Sequence, residues 1–130
     1  MRRSIALLWL QALIVALVVL SQIPARAHAV LVESSPRDNA SVKESPKRVV
    51  LRFDAKIEKK VTQITLLDAK GDKVALPKPP HGYGGTPDQL VIPLPKLRPG
   101  AYQLRYQVMA TDGHISPGLI RFTVAAKGRG

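Results

Sequence analysis

The sequence contains no cysteine, only two methionines and few aromatic residues. Without cysteine, no disulfide can brace the fold and no thiolate can hold a metal. Met1 and Met109 are too few to form a dedicated site for Cu(I), a soft ion that favours sulfur ligands. The stability of the folded chain must therefore come from an apolar core, and any metal site must rely on nitrogen and oxygen donors.

Only one apolar run approaches the length of a membrane span, and it covers residues 5–20. Arg2 and Arg3 precede it, and Ala25-Arg26-Ala27 follows it with small residues where signal peptidase requires them. A retained membrane anchor is the alternative, but 16 residues fall short of the roughly 20 that a span needs. The pattern predicts a signal peptide over residues 1–27, cleaved after Ala27, and one soluble domain over residues 28–130 in the periplasm.

Acidic residues are scarce, with 9 Asp and Glu against 20 Lys and Arg. Cleavage would remove three basic residues and no acidic ones, so the formal charge would fall from +11 to +8. An excess of positive charge of this size is typical of proteins that bind nucleic acid. However, an exported protein rarely meets nucleic acid, and the cations are scattered along the chain. The sequence therefore predicts a solvated basic surface and no nucleic-acid partner.

No segment after residue 27 has a convincing helical period. Short apolar stretches alternate instead with turn residues, and residues 77–88 contain four prolines and three glycines, which predicts an irregular loop. The fold class that this pattern predicts is all-β: a small Greek-key sandwich or barrel, immunoglobulin-like, of about seven strands. The predicted strands cover residues 29–33, 48–53, 61–67, 74–76, 89–94, 102–110 and 119–124.

His28 would become the first residue of the mature chain. It would then offer two nitrogens, the freed α-amine and the imidazole Nδ1, which can close a six-membered chelate ring on one metal ion. A histidine placed there by chance is the alternative interpretation. An internal histidine cannot chelate in this way, because its backbone nitrogen is an amide.

A second group of candidate ligands lies in the segment Asp112-Gly113-His114. In an extended chain, residues two apart point to the same side, so Asp112 and His114 can present an oxygen and a nitrogen together. An ordinary Asp-Gly turn beside an exposed histidine is the alternative. Together with His28, the set supplies three nitrogens and one oxygen, which suits tetragonal Cu(II); Zn(II) could use the same atoms, but copper forms the stronger complexes.

The mature chain resembles the CopC family of periplasmic copper-resistance proteins over essentially its whole length. The segments that carry the resemblance are residues 28–31 with Ser35-Pro36, residues 49–53, the alternating residues from Tyr102 to Ala110, Asp112-Gly113-His114, and Gly118, Phe122 and Val124.

The resemblance implies a Greek-key fold and one Cu(II) ion held by His28, Asp112 and His114. It also implies that Asp54, where relatives more often have Glu, accepts a hydrogen bond from the N-terminal histidine; a solvated acid at a strand end is the alternative.

Two features depart from the family pattern. Tyr106 stands where the family usually has Trp, which should alter the packing of the core more than metal ligation. The methionine-rich loop that binds Cu(I) in some members has no counterpart here, which argues against a two-site shuttle that passes copper between a Cu(I) site and a Cu(II) site. His81 lies in the loop over residues 77–88 and is either an accessory ligand or an exposed loop residue.

These observations favour a periplasmic Cu(II)-binding protein that sequesters or delivers copper and is not an enzyme. The expected partners are the copper ion and an inner-membrane copper transporter, and the expected state is a monomer. Two alternatives come from other classes: a copper-dependent oxygenase with an N-terminal histidine, and a metal-free sandwich that binds other proteins. Against the oxygenase, Asp112 would fill a position that oxygen needs, and the chain has few aromatic residues for a glycan-binding face.

Overall fold

The computed structural model describes residues 2–20 and 28–127. The first part is one α-helix, α1 (Arg2–Leu20), which is long and apolar enough to cross a membrane. The large apolar side chains between Ile5 and Val19, Trp9 among them, are exposed, and the hydrophobic core contains none of them. A helix of this kind at the N-terminus fits a signal peptide. The predicted cleavage after Ala27 lies outside the described residues.

Residues 28–127 form two β-sheets of eight strands in total, one more than predicted. The strands are β1 (Leu31–Ser35), β2 (Ala40–Val42), β3 (Arg48–Phe53), β4 (Gln63–Leu67), β5 (Lys73–Val74), β6 (Gln89–Pro93), β7 (Gly100–Met109) and β8 (Ile115–Val124). A short 3-10 helix covers Lys59–Val61. The smaller sheet has the order β1-β3-β6, and the larger has the order β2-β8-β7-β4-β5. The prediction of an all-β sandwich is confirmed.

Both sheets contribute to one hydrophobic core. Alternate residues of β3, Val49, Leu51 and Phe53, are almost fully buried, as the apolar alternation predicts. On the larger sheet the same holds for alternate residues of β7 and β8. The core residues that these two strands contribute are Tyr102, Leu104, Val108, Ile120, Phe122 and Val124. Each large side chain buried in this way stabilises the fold by roughly 1.5–3 kcal/mol, which replaces the missing disulfides.

The chain crosses from one sheet to the other between β1 and β2. Residues 34–39 were expected to form only a turn, but the chain continues into β2, which pairs in parallel with residues 122–124 of β8. β8 also begins at Ile115, four residues before the predicted start. Pro117 lies in a part of β8 that pairs with β7 on one side only, where its partner is Gln107. The other neighbour of β8, strand β2, pairs only with residues 122–124. Proline is tolerated where a strand lacks a second neighbour.

The long β7–β8 pair defines two ends of the domain. Met109 pairs with Ile115 at the hairpin end, and Gly100 pairs with Val124 at the opposite end. A strand of ten residues at about 3.4 Å per residue separates the two ends by about 30 Å.

Candidate metal centre

The hairpin between β7 and β8 presents the segment Asp112-Gly113-His114 at its tip. The backbone N–H of Ala110 donates to the carbonyl oxygen of His114 (2.9 Å), and the N–H of Gly113 donates to the carbonyl oxygen of Ala110 (2.9 Å). Gly113 has φ of 91°, a left-handed conformation that favours glycine. This tight turn holds Asp112 and His114 on one exposed loop.

Asp112 and His114 are in direct contact. Oδ1 of Asp112 accepts a hydrogen bond from the backbone N–H of His114 (3.0 Å) and lies 3.2 Å from Nδ1 of the same residue. The backbone hydrogen bond is the main cause that lowers the pKa of the Asp112 carboxyl, and the imidazoles of His114 and His28 lower it further. Asp112 is therefore a carboxylate at neutral pH. These contacts use Oδ1 and leave Oδ2 for another ligand.

His28 lies beside His114, although 86 residues separate them in sequence. Their imidazole rings meet edge to face, with centroids 5.9 Å apart and an interplanar angle of 78°. Both side chains are exposed. The fold therefore brings together two of the three residues that the sequence predicts as metal ligands at one exposed edge.

Asp54 fixes the backbone that leads from His28 into β1. Its Oδ1 accepts the N–H of Val30 (2.8 Å), and its own N–H donates to the carbonyl oxygen of Val30 (2.9 Å). Ala29, between His28 and Val30, is buried in the core. Asp54 thus contacts the chain two residues beyond His28, whereas the resemblance led us to expect a contact with the imidazole.

One segment that supports the hairpin is not predicted from the sequence. Residues 56–58 run beside the hairpin: Thr111 donates its N–H to the carbonyl oxygen of Lys56 (3.1 Å), and Glu58 donates to that of Met109 (2.9 Å). Ile57 bridges to Ala110 and is buried. In the sequence, the apolar Ile57 between charged residues indicates a buried position. The sequence does not indicate that Ile57 pairs with Ala110.

Lys59 anchors the proline- and glycine-rich loop to this segment. Its Nζ donates to the carbonyl oxygens of Gly84 (3.1 Å) and Gly85 (2.7 Å), and the loss of solvent there lowers the pKa of Lys59, against a smaller opposing effect of Asp88. His81, in the same loop, is exposed. In residues 28–127, no hydrogen bond, ion pair or ring contact joins His81 to His28, Asp112 or His114.

The candidate ligands are neighbours but do not yet converge. In the part of the chain that the structure describes, no three His, Cys, Asp or Glu side chains lie close enough together to hold one metal ion. The fourth donor of the predicted set is a different group, the backbone nitrogen of His28. In the chain with its leader attached, that nitrogen belongs to the peptide bond with Ala27 and is not free to bind.

Comparison with known proteins places this chain in a family. The sequence model of the CopC domain matches residues 31–125. Copper resistance protein C of Xanthomonas campestris pv. juglandis is 33% identical over 112 residues, which cover 81% of this chain and 86% of that protein. The crystal structure of CopC from Methylosinus trichosporium OB3b superimposes with a TM-score of 0.66 at 34% identity, covering 75% of this chain and 94% of the other.

The chain belongs to the CopC family. Its relatives include proteins named for copper resistance and for copper transport. A longer relative shows the domain in another setting. The copper transport protein CutJ of Bacillus subtilis is 28% identical over 98 residues, which are 75% of this chain and 18% of that protein. The chain therefore spans less than a fifth of that relative's length.

Proposed function

We propose that this protein is a periplasmic Cu(II)-binding protein that sequesters or delivers copper and catalyses no reaction. The observation that carries the proposal is the contact between His28 and His114, two residues from opposite ends of the domain sequence, at an exposed edge. The copper-related names of relatives in this family support the choice of metal.

Cleavage after Ala27 completes the ligand set. The freed α-amine and Nδ1 of His28 then chelate one Cu(II) ion, and His114 and Asp112 supply the remaining nitrogen and oxygen. A metal about 2 Å from each imidazole nitrogen lies about 3 Å from each ring centroid, so rings on opposite sides of one ion have centroids about 6 Å apart. The observed 5.9 Å matches this separation, but the edge-to-face orientation requires at least one of the two exposed rings to turn before both nitrogens face one ion.

The chemistry of these donors favours Cu(II). Two imidazoles, one amine and one carboxylate form a set of nitrogen and oxygen ligands, which suits tetragonal Cu(II), and copper outcompetes the other divalent ions of the first transition row. We propose that Oδ2 of Asp112 is the bound oxygen, because Oδ1 accepts the N–H of His114. Because protein atoms fill four positions around the ion, the site holds copper as cargo and leaves little room for a substrate. In this proposal the copper passes to an inner-membrane transporter, and the protein acts as a monomer.

A pair of histidine variants tests the proposed ligands. His114→Ala is expected to abolish tight Cu(II) binding in a competition titration of the mature protein, because it removes one of three nitrogens. His81→Ala is the matched control and should bind copper like the unmodified protein. Both variants should melt within a few degrees of the parent without copper, since both side chains are exposed. Equal loss in the two variants, or no loss in His114→Ala, would contradict the proposed site.

A further inference from the structure

A second candidate binding site lies at the opposite end of the domain from the hairpin. An open groove of about 890 Å³ runs between the β2–β3 loop, the β6–β7 loop and the residues that follow β8. It includes Val124, which pairs with Gly100 at the far end of the β7–β8 pair. About 30 Å of strand therefore separates the groove from His114.

The rim of this groove is strongly cationic. Five basic side chains line it against one acidic side chain, Glu44, and all five basic residues are exposed. None of the five takes part in an ion pair within the described residues. Over the whole chain the ratio of basic to acidic residues is only about two to one. The five basic residues of the rim are Lys43, Lys47, Lys96, Arg98 and Lys127.

The floor of the groove is apolar and its walls are joined by hydrogen bonds. Leu94, Leu97 and Val124 form the floor and also belong to the hydrophobic core. The N–H of Leu97 donates to Oγ of Ser45 (2.8 Å), and the N–H of Leu94 donates to the carbonyl oxygen of Lys47 (2.9 Å). These two bonds tie the two loops together, so the groove is preformed, which lowers the entropic cost of binding a ligand there.

Charge complementarity argues against the terminal segments of this sequence, and against a second copy, as occupants of the groove. The segments outside the domain carry basic residues and no acidic ones: Arg2, Arg3 and Arg26 before His28, and Arg129 near the C-terminus. A second copy of the mature chain would bring a further net charge of about +8. A complementary occupant is therefore an acidic segment other than these.

We propose that this basic groove docks an acidic, extended segment of a partner protein in which single apolar residues are separated by Asp or Glu residues. The carboxylates would meet the lysines and Arg98 of the rim, and the apolar side chains would cover the floor formed by Leu94, Leu97 and Val124. A recessed apolar floor between two loops accommodates a peptide, whereas a flat anionic membrane surface would contact the rim alone. Docking at this end leaves the hairpin end free.

A labelled peptide and two double variants test the groove. The probe is a fluorescein-labelled peptide with the sequence Glu-Glu-Leu repeated three times. Its binding is measured by fluorescence anisotropy at physiological salt. Lys47→Glu with Lys96→Glu should weaken its binding by about tenfold or more, because two rim charges are reversed. The control, Lys60→Glu with Lys78→Glu, makes the same change in net charge away from the groove and should weaken binding less than about twofold, since salt screens distant charges.

Further arms of the experiment distinguish peptide docking in the groove from binding that needs copper and from adsorption to lipid. The peptide should bind equally well to copper-loaded protein and to His114→Ala, so that failure of the proposed metal site would leave this result unchanged. A Gln-Gln-Leu peptide should bind at least about tenfold more weakly. Equal effects of the two double variants, or equal binding of the Gln peptide, would overturn the proposal. It would also be overturned if the protein bound vesicles of phosphatidylglycerol and phosphatidylcholine through Lys47 and Lys96 but did not bind the peptide.

Discussion

At the scale of single residues, the sequence predicts most groups of the candidate site. It does not predict the hydrogen bond that Asp54 makes with Val30. The pairing of His28 with His114 follows from the predicted N-terminus and the Asp-Gly-His segment together with the family resemblance. The partner of Asp54 could not be predicted in the same way. Which N–H a carboxylate accepts depends on how β1 and β3 approach each other, and Val30 and Asp54 are 24 residues apart.

Asp54 provides a prediction about how His28 is positioned. Asp54→Ala removes the acceptor for the N–H of Val30, a hydrogen bond worth about 0.5–1.5 kcal/mol. We expect the melting temperature to fall and Cu(II) affinity to weaken by about threefold to tenfold, because the backbone before β1 loses its anchor.

The conservative variant separates the hydrogen bond from the charge. Asp54→Asn keeps an oxygen that can accept the N–H of Val30, so it should recover most of the melting temperature and of the affinity. The measurements are thermal unfolding without metal and a Cu(II) competition titration. An Asp54→Ala protein with unchanged affinity would show that the bond does not position His28.

At the scale of strands, apolar alternation was a reliable guide where strands are paired on both sides. β3 covers Arg48–Phe53, as predicted, since its alternate apolar residues face the core. β2 was missed because three residues, Ala40–Val42, are too short to show a period. The start of β8 was missed because Pro117 and Gly118 look like turn residues, while their place beside Gln107 and Tyr106 depends on long-range pairing.

Gly118 and Tyr106 show why that pairing tolerates a glycine in mid-strand. Tyr106 is half-buried and meets Phe53 edge to face, with centroids 5.5 Å apart. A Cβ added at Gly118 would overlap the phenol ring of Tyr106. The aromatic residue at position 106 therefore uses the space that the glycine leaves on β8, which agrees with the expectation that this position affects packing.

This close approach predicts the effect of a methyl group. Gly118→Ala should destabilise the domain by about 1–3 kcal/mol, the usual cost of overpacking, as measured by denaturant unfolding. Gly84→Ala is the matched control and should change little, because a Cβ there would meet only Val91 Cβ at an ordinary 3.7 Å. Replacing Tyr106 by Leu in the Gly118→Ala background should recover part of the loss. A Gly118→Ala protein as stable as Gly84→Ala would contradict the packing described here.

At the scale of the whole molecule, the proposed metal site joins the two sheets. His28 precedes β1 of the smaller sheet, and His114 lies on the hairpin of the larger sheet. β1 and β8 are not hydrogen-bonded neighbours in either sheet. A metal ion held by both histidines would therefore link the sheets at one end, while the basic groove occupies the other end. Composition and alternation predicted the sandwich, but only the fold could bring these distant residues to separate ends.

The most direct test of the proposed copper site compares two N-termini. The mature protein that begins with His28 is measured against the same protein with one glycine ahead of His28, by Cu(II) competition titration, with thermal unfolding to show that both are folded. The extra residue converts the chelating amine into an amide, and we predict that Cu(II) affinity falls by about a hundredfold or more. Equal affinity of the two proteins would contradict the claim that cleavage of the leader creates the copper site.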